Sequence, residues 1–225
     1  MAKVNWGGGQ QVSGKVGGVV YTKNGQMRKK SQPTNKRTQA QFDTKASFSG
    51  NAQNWKNLTE AQRTAWLSTS SNFSTKDAFG NTLQLKGITL YNRLNNNLDL
   101  IGQPAIDVPP NPQGGGYAPV ITPTITVTGN IFSLAYDPSP IGTAQSVVVW
   151  ASTGYSAGKK FVANSLKVIA VLEDGDITPA DLFTAYTDVF GSLIAGSTVY
   201  VQVQSYNDLT GETGSVQLAS AVVGA

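Results

Sequence analysis

The chain has 225 residues, 40% of them hydrophobic and only 13% charged; that is enough apolar material for a core, with about half the usual share of charge. It contains no His and no Cys, which excludes disulfides, zinc fingers, a cysteine nucleophile, a Ser-His-Asp triad and a His-based metal site. The net charge of +4 is unevenly spread: residues 1–100 carry 14 Lys/Arg against 4 Asp/Glu, and residues 101–225 carry 3 Lys against 9 Asp/Glu.

In chain order, residues 1–15 hold four Gly and two Gln with Ser13 and read as an arm. Val16–Ser31 carries a hairpin signal, with Val19–Lys23, the pair Asn24-Gly25 and then Gln26–Arg28; Asn-Gly favours a two-residue type I′ turn because both positions tolerate positive φ. A polar run from Pro33 through Trp55 reads as helical with an interruption at Gly50. Thr59-Glu60-Ala61-Gln62 has capping-box spacing and opens a short helix to about Ser71. Leu90, Leu94, Leu98 and Ile101 recur at helical spacing, and Gly102 follows as a stop. Trp55, Leu58 and Trp66 are the expected glue of this small helical unit.

Residues 102–118 gather Gly102 and Gly114–Gly116 with Pro104, Pro109, Pro110 and Pro112, a composition that reads as an interdomain linker. Beyond it come short alternating strands, at Thr122–Thr128, Ile131–Tyr136, Ser146–Ser152, Leu166–Leu172, Ser197–Ser205 and Ser215–Val222. Val199, Val201, Val203 and Ser205 share one face of their strand, while Tyr200, Gln202, Gln204 and Tyr206 share the other. Thr178-Pro179 reads as the start of a short helix to about Tyr186. The expected organisation is therefore an arm (1–15), a basic hairpin-plus-helices docking domain (16–101), a linker (102–118) and a sandwich (119–225). The fold class is α+β in the N-terminal part, followed by an all-β immunoglobulin-like sandwich.

The strongest electrostatic feature is the N-terminal one: residues 1–37 hold eight basic residues and no acid. Lys15, Lys23, Arg28, Lys29, Lys30, Lys36 and Arg37 are the candidate docking cations, with Tyr21, Trp55 and Trp66 as aromatic anchors for a partner. Neither a helix-turn-helix nor an RNA-binding aromatic motif accompanies them, so an acidic protein surface is favoured over nucleic acid. Gly9 and Gly14-Lys15 echo the spacing of a phosphate loop, but Val16 replaces the Ser/Thr and a first glycine at Gly9 leaves no strand expected before it, so flexible or tightly packed backbone is the better account. Glu173, Asp174 and Asp176 could offer oxygens to calcium, yet an ordinary acidic turn is favoured because no EF-hand spacing is present. Tyr155 and Tyr206 are candidate exposed contacts on the sandwich. With no carboxylate pair singled out, the expectation is a protein without catalysis and without a cofactor. The start lacks the apolar segment of a signal peptide and no stretch is apolar enough to span a bilayer, so the expectation is a chain made in a cytoplasm and remaining soluble.

Residues 12–101 follow a recognisable order: Ser13-Gly14-Lys15-Val16-Gly17-Gly18-Val19-Val20-Tyr21, Asn24-Gly25, Arg37-Thr38-Gln39-Ala40-Gln41, Trp55, Leu58 through Trp66, then Gly80-Asn81. This order resembles the N-terminal region of small virion proteins of tailed phages of Bacteroidetes, including crAss-like phages. The last hundred residues resemble a fibronectin type III or immunoglobulin-like module through Leu193, Gly196 and Asn207. Val199 stands where that module's inward tyrosine is expected, which makes immunoglobulin-like the better description. The resemblance implies an auxiliary capsid or head-associated structural role in the virion, in several copies, with the major capsid protein or other virion subunits as partners. A neck, tail or ring component is the alternative position, and a glycan- or host-surface-binding module the alternative class.

Overall fold

The computed structural model describes residues 3–5, 11–22, 26–30, 38–111, 121–137, 141–156, 158–159 and 161–224. It is a mixed α+β chain with antiparallel sheets. Two compact units divide at Leu90/Tyr91, ahead of the Gly/Pro-rich stretch expected as a linker.

In the first unit, β1 (Lys3–Asn5), β2 (Gln11–Val16), β3 (Val19–Tyr21) and β4 (Met27–Lys29) form a four-stranded antiparallel meander. The expected arm thus contributes two paired strands. Backbone hydrogen bonding compensates for the poor strand propensity of its Gly and Gln residues once a neighbouring strand is available. The tight two-residue turn is Gly17-Gly18, between Val16 and Val19. Gly17 has φ 56°, a value at the first turn position that suits glycine and the type II′ hairpin. At the other turn, Tyr21 pairs with Met27 and Thr22 N–H donates to Gln26 O at 2.9 Å. That register leaves three residues, 23–25, for the connection. The Asn24-Gly25 pair itself lies outside the described residues.

Helix α1 (Gln39–Asn57) runs through Gly50 without a break. One internal glycine costs only about 1 kcal/mol relative to alanine, too little to end a helix of this length. Helix α2 (Glu60–Thr69) starts at the expected capping box: Thr59 Oγ1 accepts Gln62 N–H at 3.3 Å, and Gln62 Oε1 accepts Thr59 N–H at 2.8 Å. β5 (Ser74–Lys76) and β6 (Thr82–Gln84) form a small hairpin. Asp77 Oδ1 organises its loop by accepting the N–H groups of Phe79 and Asn81 at 2.8 and 2.9 Å. Trp66 is fully buried, and Leu58 and Leu90 are buried with it in this unit.

Helix α3 (Gly87–Leu100) ends where expected, with Gly102 at φ 73°. From Tyr91 onward it belongs to the second unit. The chain that follows is fastened back onto it: Gln103 N–H donates to Leu98 O at 2.8 Å, and Ile106 N–H donates to Asn95 Oδ1 at 2.7 Å. The first residues of the expected linker are therefore structured; residues 112–120 lie outside the described residues.

The second unit contains two antiparallel sheets. One has the order β10 (Lys167–Leu172), β9 (Gln145–Ala151), β12 (Thr198–Asn207), β13 (Gln217–Val222); the other is β11 (Ala180–Asp181), β8 (Ile131–Asp137), β7 (Ile121–Thr128). Each expected strand is present to within two residues at either end. Their inward residues, among them Phe132, Leu134, Val147, Val149, Val199, Val201 and Val203, share one core. Helix α4 (Phe183–Phe190) also joins this core, as Tyr186 stacks on Phe132 at 4.7 Å between ring centroids and donates to Ser152 O at 3.1 Å. The expected helix beginning at Thr178-Pro179 is displaced toward the C-terminus, because Ala180 and Asp181 first pair with Leu134 and Ser133. With α3 and α4 contributing, the unit is not all-β. Central strand β9 is buried on both faces: Val147 and Val149 face the shared core, whereas Val148 packs with Leu98, Ile101 and Tyr206.

Candidate docking surface

The N-terminal sheet is two-faced. Residues directly opposite in an antiparallel ladder point to the same side. Lys15, Val20 and Arg28 pair across β2, β3 and β4 and share one face. Lys30 N–H donates to Gly18 O at 2.8 Å, which continues the ladder and places Lys30 with them. The opposite face carries Val16, Val19, Tyr21 and Met27, with Lys29 among them. Met27 is 66% exposed and Val16 is 54% exposed. No acid lies between residues 1 and 42, so the cations of this sheet have no carboxylate partner within it. A ribbon with one cationic face and one apolar face that leaves Val16 and Met27 exposed can bind an anionic surface on one side and bury apolar area on the other. The cationic edge β4 also opposes pairing of like edges.

A second feature of the first unit is a groove of about 430 Å³ lined by Trp55, Glu60, Arg63, Thr64, Leu67, Lys86, Gly87 and Ile88. Its shape depends on Gly87: a Cβ there would stand 3.0 Å from Leu67 N and 3.1 Å from Leu67 Cα, so glycine is what lets the start of α3 approach α2. Arg63 Nη2 donates to Lys56 O at 2.8 Å, and Arg63 Nη1 lies 3.6 Å from Glu60 Oε2. Arg63 Nε is buried without a hydrogen-bond partner.

The residues singled out from the sequence separate into four groups. Lys15, Arg28, Lys29 and Lys30 are exposed on the N-terminal sheet, and Tyr21 is half-buried there. Trp55 is half-buried in the groove. Trp66 is fully buried and can act on a partner only by holding the helices together. Lys23, Lys36 and Arg37 lie outside the described residues.

In the second unit, Tyr206 is buried rather than an exposed contact, because Leu98 and Ile101 of the α3 segment cover its face of β12. Burial pushes its phenol up to about 12. Tyr155 remains accessible, with Lys159 Nζ 3.2 Å from its ring centroid. Hydrogen bonds with Ser165 and Lys159 hold its phenol below the ordinary range. The Glu173–Asp176 turn is closed by its own atoms, Glu173 N–H donating to Asp176 Oδ2 at 2.9 Å. Among the described residues, no group of three or more potential ligands is arranged to hold a metal ion, and no helix is long and apolar enough to cross a membrane. The groove was not legible in the sequence: its residues come from three separate segments, and only the glycine opening α3 hinted at a close approach.

A scan of the chain against protein-family models finds no match, and a search of curated proteins finds none either.

Proposed function

We propose that this chain is a non-enzymatic structural component of a tailed-phage particle, an auxiliary capsid or head-associated protein. Its basic N-terminal half docks on the particle, and its C-terminal unit projects as an immunoglobulin-like module. The observation that carries this reading is the N-terminal sheet, whose apolar face leaves Val16 and Met27 exposed and Val19 and Tyr21 half-buried while Lys15 and Arg28 occupy the reverse. A four-stranded sheet is stabilised through its apolar face once that face is packed against something, and a docking surface would supply that packing. The order of N-terminal motifs supplies the particle class by resemblance. The test is electron microscopy of intact particles with the chain localised by specific labelling. Several copies on the head are expected; copies confined to the neck, tail or a ring would move the protein to that position, and absence from particles would overturn the reading.

A second reading, recognition of a host-surface glycan, is favoured by one observation. Phe161 is 93% exposed in the β9–β10 connection that also carries the Tyr155–Lys159 contact, and exposed aromatics serve as sugar platforms. Binding of the chain to host polysaccharides that is lost on Phe161→Ala would support it.

A further inference from the structure

We propose that the groove of the first unit receives the acidic turn after β10 of a second copy of this chain, with Ile177 as the inserted side chain. The groove offers apolar surface from Trp55, Leu67 and Ile88 beside the cations Arg63 and Lys86, with Glu60, which lies 3.6 Å from Arg63, as the one acid of its lining. Leu67 is 64% exposed there, so its apolar surface in the groove is open to a partner. The turn offers the complement: Ile177 is 68% exposed and follows Glu173, Asp174 and Asp176 in the sequence. The charge balance agrees at the level of whole units. Residues 1–90 hold 13 Lys/Arg and 3 Asp/Glu, whereas residues 91–225 hold 4 Lys/Arg and 10 Asp/Glu.

The turn is also braced before binding. Besides the Glu173–Asp176 bond, Ile141 N–H donates to Asp176 O at 3.0 Å and Gly175 N–H donates to Ile141 O at 3.2 Å. A preformed knob loses little conformational entropy on docking. Three other apolar side chains of the second unit are at least as exposed, Phe161, Leu209 and Ile194; Ile194 has no acid within five residues, whereas Ile177 has three in the four positions before it. Phe161 follows Lys159 and Lys160, which would meet Arg63 and Lys86 with like charge. Leu209 lies between Asp208 and Glu212 in sequence and serves as the comparison. Groove and knob are different surfaces, so the contact is heterologous and adds copies head to tail. The inference concerns the free chain and does not depend on a virion location.

Sedimentation equilibrium of the full chain over a concentration series tests this. The weight-average mass should rise above that of one chain and fall back as salt screens the charges. Ile177→Asn, at an exposed position that leaves the fold intact by circular dichroism, should weaken association about tenfold or more, while Leu209→Asn should not. Arg63→Glu with Lys86→Glu should weaken it too, and adding Glu173→Lys with Asp174→Lys should restore it. A chain that stays monomeric at all concentrations overturns the proposal. So does full association of Ile177→Asn, or a charge-reversal rescue seen only in thermal stability without a change of mass, which would place the contact within one chain.

Discussion

Gly211 and Gly196 differ in one respect that a pair of alanine substitutions isolates. Both have positive φ, 71° and 78° respectively, so a Cβ at either site imposes the left-handed penalty of about 1–2 kcal/mol. At Gly196 the added Cβ meets nothing within 4 Å, whereas at Gly211 it runs into the backbone carbonyl of Leu94. That carbonyl belongs to α3, and Asn97 Nδ2 donates to Gly211 O at 2.7 Å across the same contact, so neither side can yield freely. Overpacking against fixed atoms adds about 1–3 kcal/mol, for a total of about 2–5 kcal/mol at Gly211. At about 3 °C per kcal/mol for a unit of this size, Gly196→Ala should lower the unfolding midpoint by about 3–6 °C and Gly211→Ala by about 6–15 °C. Scanning calorimetry of the full chain, following the transition of the second unit, reads both. Equal shifts for the two variants would refute the claim that the loop after β12 is seated on α3 through glycine.

Two further outcomes are expected. Thr59→Ala removes the side-chain acceptor for Gln62 N–H and should cost about 1 kcal/mol, read in urea unfolding of the first unit, with Thr59→Ser recovering most of it. Tyr206 has a phenol raised to about 12 against an ordinary value of about 10. Below pH 10 both folded and unfolded states keep the proton, so its contribution is fully present; between about 10 and about 12 the unfolded state loses the proton first, and stability falls as pH rises. Tyr206→Phe should therefore show a shallower loss of thermal midpoint across that window, and an unchanged slope would show that the group does not titrate as its burial implies.

The parts of this protein that could be read from sequence are those encoded within a few neighbouring residues. The alternation of Val199, Val201 and Val203 announced a strand with one buried face, and all three are fully buried. The Leu90, Leu94, Leu98 and Ile101 spacing announced a helix face, and all four are buried. The Thr59–Gln62 box placed the start of α2 because capping is a three-residue interaction. What the sequence did not carry depended on partners distant along the chain. Tyr206 lies on the strand face that alternation assigns to solvent, yet residues more than a hundred positions earlier cover it. β1 and β2 look like an arm until the ladders of β1 with β2 and of β2 with β3 supply what their residues lack in propensity. The groove exists because Gly87 lets one helix start against another. A period of two or 3.6 residues is written locally, whereas which face is covered, and by what, is settled only when segments far apart in sequence pack together.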